Sequence, residues 1–88
     1  MKKSKSASPI ETKLRMILAE VFICDEHDLA LGTKLREDIS SDSIEFVEMA
    51  MSIEETFGIG DIPECVVARM ETFGDVLAYV KKHAVAEV

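Results

Sequence analysis

The stretch DSIEFVEMAMSIEETFG, residues 42–58, decides how this 88-residue chain folds. Asp42 and Glu45 stand in the cap and third-position relationship that opens a helix, which puts Ser43 in its first turn. Gly58 is the residue type that closes one, so the spacing predicts a helix ending near Phe57. At about 100° per residue, Phe46, Met49, Ala50, Ile53 and Phe57 fall in one arc that faces a core. Ile44 and Met51 lie seven residues apart on the opposite side, in the same sector as Glu48 and Glu55. An apolar ridge set among acids on a solvent face costs solubility, and its common use is to dock on a partner while the charges orient the encounter.

Upstream, Ser8-Pro9-Ile10-Glu11 combines a Ser cap, a Pro at the first helical position and a Glu at the third. Ile10, Leu14, Ile17, Leu18, Val21 and Phe22 then recur at three-and-four spacing, which predicts a first helix running to about Ile23. From Cys24 to Ser41 the pattern gives way to a polar stretch whose Leu29, Leu31, Leu35 and Ile39 can dip into the core. Unstructured loops of that length are uncommon in small domains and tend to be functional or to contain a short helical turn. Downstream, Ile62-Pro63-Glu64 opens a short third helix through about Ala68, with Cys65, Val66 and Val67 apolar. Thr72-Phe73-Gly74-Asp75 caps a last helix whose stripe is Phe73, Val76, Leu77 and Val80, with Lys81, Lys82 and His83 near its end. No alternating strand pattern competes, so the expectation is an all-α four-helix bundle with a long first loop and a short third helix.

Hydrophobic residues make up 48% of the chain and charged residues 31%, a globular composition. One small domain leaves little room for a large catalytic cleft. The net charge of −7 is concentrated: Glu37 to Ala68 holds nine acidic residues and no Lys or Arg. That sign excludes nucleic acid and anionic lipid as partners and points to a basic protein surface; a solvated acidic face is the plainer alternative. Cys24 and Cys65 lack the number and spacing of a disulfide framework or zinc site and read as small core residues in a reducing compartment. Asp25-Glu26-His27-Asp28 lacks the ligand spacing and Gly of a calcium loop, so no metal is expected. No stretch is long and apolar enough to span a bilayer.

Ser43 has its side chain at a helix N-terminus, where free amides and the helix dipole favour an attached phosphate. A Ser in that place is often only a cap, but Asp42 can already act as one, which leaves Ser43 free to be modified. Asp42-Ser43-Ile44 resembles the Asp-Ser-Leu motif of acyl carrier proteins, in which the Ser hydroxyl receives 4′-phosphopantetheine from coenzyme A. Glu37-Asp38-Ile39 resembles the family's Glu-Asp-Leu before the motif, and Glu54-Glu55-Thr56-Phe57 its Glu-Glu-x-Phe. Ile62-Pro63 is similar to its Ile-Pro, and Thr72-Phe73-Gly74-Asp75-Val76 to its Thr-Val-Gly-Asp-Val. The likeness runs over roughly residues 10–83 without a gap. It departs at Ser40-Ser41, which replaces the usual Gly and its neighbour, and at Ile44, where Leu is commoner.

The resemblance implies a free-standing carrier that is not itself an enzyme and presents acyl groups as thioesters to fatty acid, polyketide or related biosynthetic enzymes. Ser43 is then the attachment site for the arm. Asp42, Glu45, Glu48, Glu54 and Glu55 match acidic positions turned to partners, and Ile44 and Met51 match exposed apolar contacts. The implied partners are a phosphopantetheinyl transferase and acyl-loading and acyl-consuming enzymes with basic docking surfaces. Residues 9–84 form the carrier domain, with a flexible basic tail at 1–8 and a C-terminal tail at 85–88. The basic start is followed by no apolar h-region, so a cytoplasmic protein is expected, with export the minor alternative; the chain is expected to be a monomer. Two rivals are a helical interaction module without a prosthetic group and an enzyme with Ser43 as nucleophile and His27 or His83 as base. Should the bundle shelter part of a bound chain, Met49, Ala50, Ile53, Val66 and Val67 are the candidates to line that space, each equally suited to ordinary core.

Overall fold

The computed structural model of the protein describes residues 9–39 and 43–84. The helices are α1 (Pro9–Val21), α2 (Leu35–Asp38), α3 (Ser43–Phe57), α4 (Glu64–Ala68) and α5 (Phe73–His83), with a 3-10 turn at Glu26–Asp28. The expected caps Ser8 and Asp42 lie outside the described residues. The four helices anticipated from the pattern are α1, α3, α4 and α5. The long loop between the first two contains the 3-10 turn and the single turn of α2, both too short to leave a periodic signature.

α1 packs on α3 and on α5. Its Ile10, Leu14 and Leu18 are buried, as are Phe46, Met49, Ala50, Ile53 and Phe57 of α3 and Phe73, Val76, Leu77 and Val80 of α5. The core is therefore built from the stripes read from spacing, with Ile17 and Val21 of the first stripe half-buried against it, and is joined by Leu29, Leu35, Ile59, Ile62 and Met70. Phe22 meets Phe46 with ring centroids 5.4 Å apart and planes tilted by 57°, which locks the end of α1 against the start of α3.

Three sequence expectations fail. Leu31 is exposed, unlike Leu29 and Leu35. It supplies its carbonyl instead: the Gly74 amide donates to Leu31 O at 2.9 Å, and a Cβ on Gly74 would come within 2.8 Å of that oxygen. Cys65 is exposed on the outer side of α4, and only Cys24, half-buried, packs against the core. Burial, then the charges of Asp28 and Asp25, push the Cys24 thiol up from its ordinary range. Finally, α1 stops at Val21 and not at Ile23.

The last of these has a specific geometry. Ile23 adopts φ 53°, and the Cys24 amide reaches back to Ala19 O at 2.9 Å. α3 ends in the same way, with Gly58 at φ 68° and the Ile59 amide on Glu54 O at 3.1 Å. Both are left-handed helix stops in which Gly is the unstrained residue. A β-branched side chain there costs on the order of 1–2 kcal/mol.

The long loop is fastened at both ends of its course. Arg15 of α1 donates to Leu29 O from Nε at 3.0 Å and from Nη2 at 2.7 Å, and pairs through Nη1 with Glu11 at 2.9 Å. Its guanidinium also lies 4.7 Å from the Phe73 ring centroid. Thr33 Oγ1 accepts from the Ala30 amide and donates to Asp28 O, both at 2.9 Å. The Leu35 amide then bonds Glu71 O at 2.8 Å and the Phe73 amide Thr33 O at 3.0 Å, so the loop lies alongside the entry to α5. These bonds set α2 beside the entry to α5.

Candidate functional site

Ser43 is the first residue of the 15-residue α3, and its side chain is exposed. The first amides of a helix have no intrahelical acceptor, and the dipole makes this end attractive to an anion such as a phosphodiester. Ser43 also borders a cavity of about 310 Å³ between α3 and α4, at the lower end of the range for small-molecule pockets. Phe46, Val47, Ala50 and Met51 form its α3 wall, Val67 and Ala68 with Glu64 its α4 wall, and Ile62 and Arg36 complete it. The hydroxyl is thus at the mouth of a mainly apolar hollow. Such a site fits a polar arm anchored on the surface with an apolar tail beside it.

Of the side chains expected to line such a space, Ala50 and Val67 do so. Met49 and Ile53 are fully buried and belong to the core, and Val66 packs half-buried against it. The apolar ridge exists and is wider than expected: Ile44 is 68% exposed, Met51 59%, and Val47 lies between them at 56%. Val47 follows Ile44 by three residues, so the phase that marked the ridge also contained it. Arg36 had no such signal. Its guanidinium sits 4.2 Å from the centroid of Phe46 because the loop folds back over α3.

The acids divide by role. Glu48 and Glu55 are exposed and Glu45 half-exposed on α3. Glu54, grouped with them by resemblance, turns inward: its Oε2 accepts the Ile62 amide at 2.7 Å and clasps the turn between α3 and α4. His27 is in the long loop, its Nδ1 2.9 Å from Asp25 Oδ1, and His83 stacks on Tyr79 at 4.2 Å. Neither lines the cavity beside Ser43. Among the described residues no group of three or more His, Cys, Asp or Glu could hold a metal ion, and no helix is long and apolar enough to cross a membrane.

The family model for the phosphopantetheine attachment site matches residues 12–80, a span that contains Ser43, the ridge and the cavity. The chain is 32% identical to the acyl carrier protein of Lactobacillus johnsonii, over 84% of this chain and 91% of that one. It belongs to the acyl carrier protein family. Similar relatives of that family are the acyl carrier proteins of Lactobacillus acidophilus, 31% identical over 89% of this chain and 96% of that one, and of Rickettsia canadensis, 34% identical over 83% and 84%. Among solved structures, the apo doublet acyl carrier protein from prodigiosin biosynthesis matches with a TM-score of 0.74 at 19% identity, over 89% of this chain. The chain spans 37% of that protein, and the likeness shows the shared fold. Membership carries the family's covalent prosthetic group, 4′-phosphopantetheine, with it.

Proposed function

We propose that Ser43 is the residue that carries the 4′-phosphopantetheine arm, and that the protein presents acyl groups on it to fatty acid, polyketide or related biosynthetic enzymes. The observation that supports this most directly is the exposed Ser43 hydroxyl at the N-terminus of α3, on the rim of an apolar cavity. When bound, the arm supplies a terminal thiol that holds an acyl group as a thioester. The chain's own part is to offer the hydroxyl, favour the phosphodiester with the α3 dipole and give the apolar cargo a surface to lie against. It performs no chemistry itself. Partners are a phosphopantetheinyl transferase and acyl-loading and acyl-consuming enzymes with basic docking surfaces.

In this reading Ile44, Val47 and Met51 form the apolar contact, with Asp42, Glu45, Glu48 and Glu55 steering the approach of a basic enzyme. Glu54 belongs to the same acidic helix but serves the α3–α4 turn first. The protein acts as a cytoplasmic monomer, a reading supported by its two free thiols and by a net charge of −7 that discourages self-association.

The test is to load the protein from an acyl-coenzyme A with a transferase and map the modified peptide. The acylated arm should lie on the peptide containing Ser43, and neutral hydroxylamine should remove the acyl group alone. An arm on another residue, or an acyl group that resists hydroxylamine, contradicts the proposal.

A further inference from the structure

Among the described residues Ile23 is the most exposed large apolar side chain, at 85%, and the one non-glycine residue with positive φ. The left-handed backbone ends α1, but neither that stop nor the core calls for an apolar side chain at this position. The same left-handed stop is built with Gly58 at the end of α3, so ending α1 does not call for Ile. A conformational outlier that the packing does not use directs attention to function.

Ile23 forms one wall of a groove of about 500 Å³ between the last turn of α1 and the outer face of α3. Val21 and Met51 continue the apolar surface, and Glu20, Glu48 and Glu55 stand along it with no Lys or Arg in the lining. Met51 also borders the cavity beside Ser43, so the two hollows lie on either side of one ridge. An apolar floor between three carboxylates selects against an anionic lipid and against a second copy of this chain, which brings net −7 of its own. It fits an apolar side chain flanked by cations.

We propose that this groove is a docking site for the phosphopantetheinyl transferase, which seats an apolar side chain between Ile23 and Met51 and sets Lys or Arg against Glu20, Glu48 and Glu55. The proposal rests on Ser43 as the attachment residue. Met51 is eight residues along α3 from Ser43, about 12 Å at the helical rise. A standard interface of about 800 Å² on one partner spans that distance, so an enzyme engaged on Ser43 reaches the groove as well. Ile23 then extends the docking surface from α3 onto α1.

The experiment measures steady-state modification by a phosphopantetheinyl transferase with saturating coenzyme A while the carrier concentration is varied. The intact protein is compared with Ile23→Gly and Ile23→Lys, and each is melted in parallel. The expected result for Ile23→Gly is a KM for the carrier five- to tenfold higher, with kcat unchanged and a Tm at or above that of the parent. Ile23→Lys should raise KM further, because it sets a cation against the partner's own. KM values within twofold of the parent for both variants, with Ser43 normally modified, overturn the groove and leave the attachment site standing. A KM rise that comes with a lowered Tm in both variants assigns Ile23 to the helix end and also overturns it. Failure of the parent itself to be modified removes the attachment reading and the groove together.

Discussion

At Gly74 a single methyl group decides how the long loop meets α5. The backbone carbonyl of Leu31 occupies the place a Cβ would take, 2.8 Å away, and backbone yields less readily than a side-chain tip. Gly74→Ala should therefore destabilise by about 1–3 kcal/mol, read as a lower urea midpoint with unchanged slope. Glu54 makes a second residue-scale case. Its carboxylate holds the Ile62 amide, so Glu54→Ala should cost about 1–2 kcal/mol while Glu54→Gln, which keeps an acceptor, costs less. Equal stability of all three proteins by urea titration would return Glu54 to the exposed acids. Spacing placed Glu54 on an acidic helix but carried no information on where the chain returns after Gly58, and that return is what gives the carboxylate its partner. Val47 is the opposite case: the phase that picked out Ile44 and Met51 held it, and it was legible throughout.

The elements that could be read were those with a stripe. α1, α3 and α5 repeat apolar residues over several turns, so their buried faces followed from periodicity, and the Thr72 cap of α5 was visible as a motif. In the structure Thr72 Oγ1 accepts the Asp75 amide at 3.0 Å, and Asp75 Oδ2 accepts the amides of Thr72 and Glu71 at 3.1 and 3.0 Å. The Thr72 amide, with help from Glu71 and the Thr72 hydroxyl, holds the Asp75 carboxyl below its ordinary value of 3.8. A depressed folded value means stability that is present above the unfolded value and is lost as the pH falls through the folded one. The stability advantage of the parent over Asp75→Asn should thus be constant near neutrality and shrink as the pH is lowered through and below 3.8, measured by urea unfolding at each pH. An advantage independent of pH would contradict the capping box. α2 and the 3-10 turn were invisible because one turn has no period, and their positions come from tertiary bonds to Arg15, Glu71 and Gly74. Periodicity carries α1 on to Ile23 because Ile23 reads as an apolar helix residue, whereas its backbone is the left-handed stop.

On the scale of the whole molecule, the charge distribution and the bundle work on the same face. α3 gives its inner side to the core and its outer side to an apolar ridge among acids, and its first residue to the hydroxyl. α4, which follows the turn that Glu54 clasps, closes the cavity beside that hydroxyl. The acidic sign of the segment could be read directly, and so could the ridge. The cavity could not, because it depends on the placement of α4 and Arg36, which no local pattern encodes. The measurement that bears most directly on this account is the intact mass of the protein after incubation with coenzyme A and a broad-specificity phosphopantetheinyl transferase, alongside Ser43→Ala. The account predicts a gain of one phosphopantetheine by the parent and none by the variant; an unmodified parent, or a variant that gains the same mass, would contradict it.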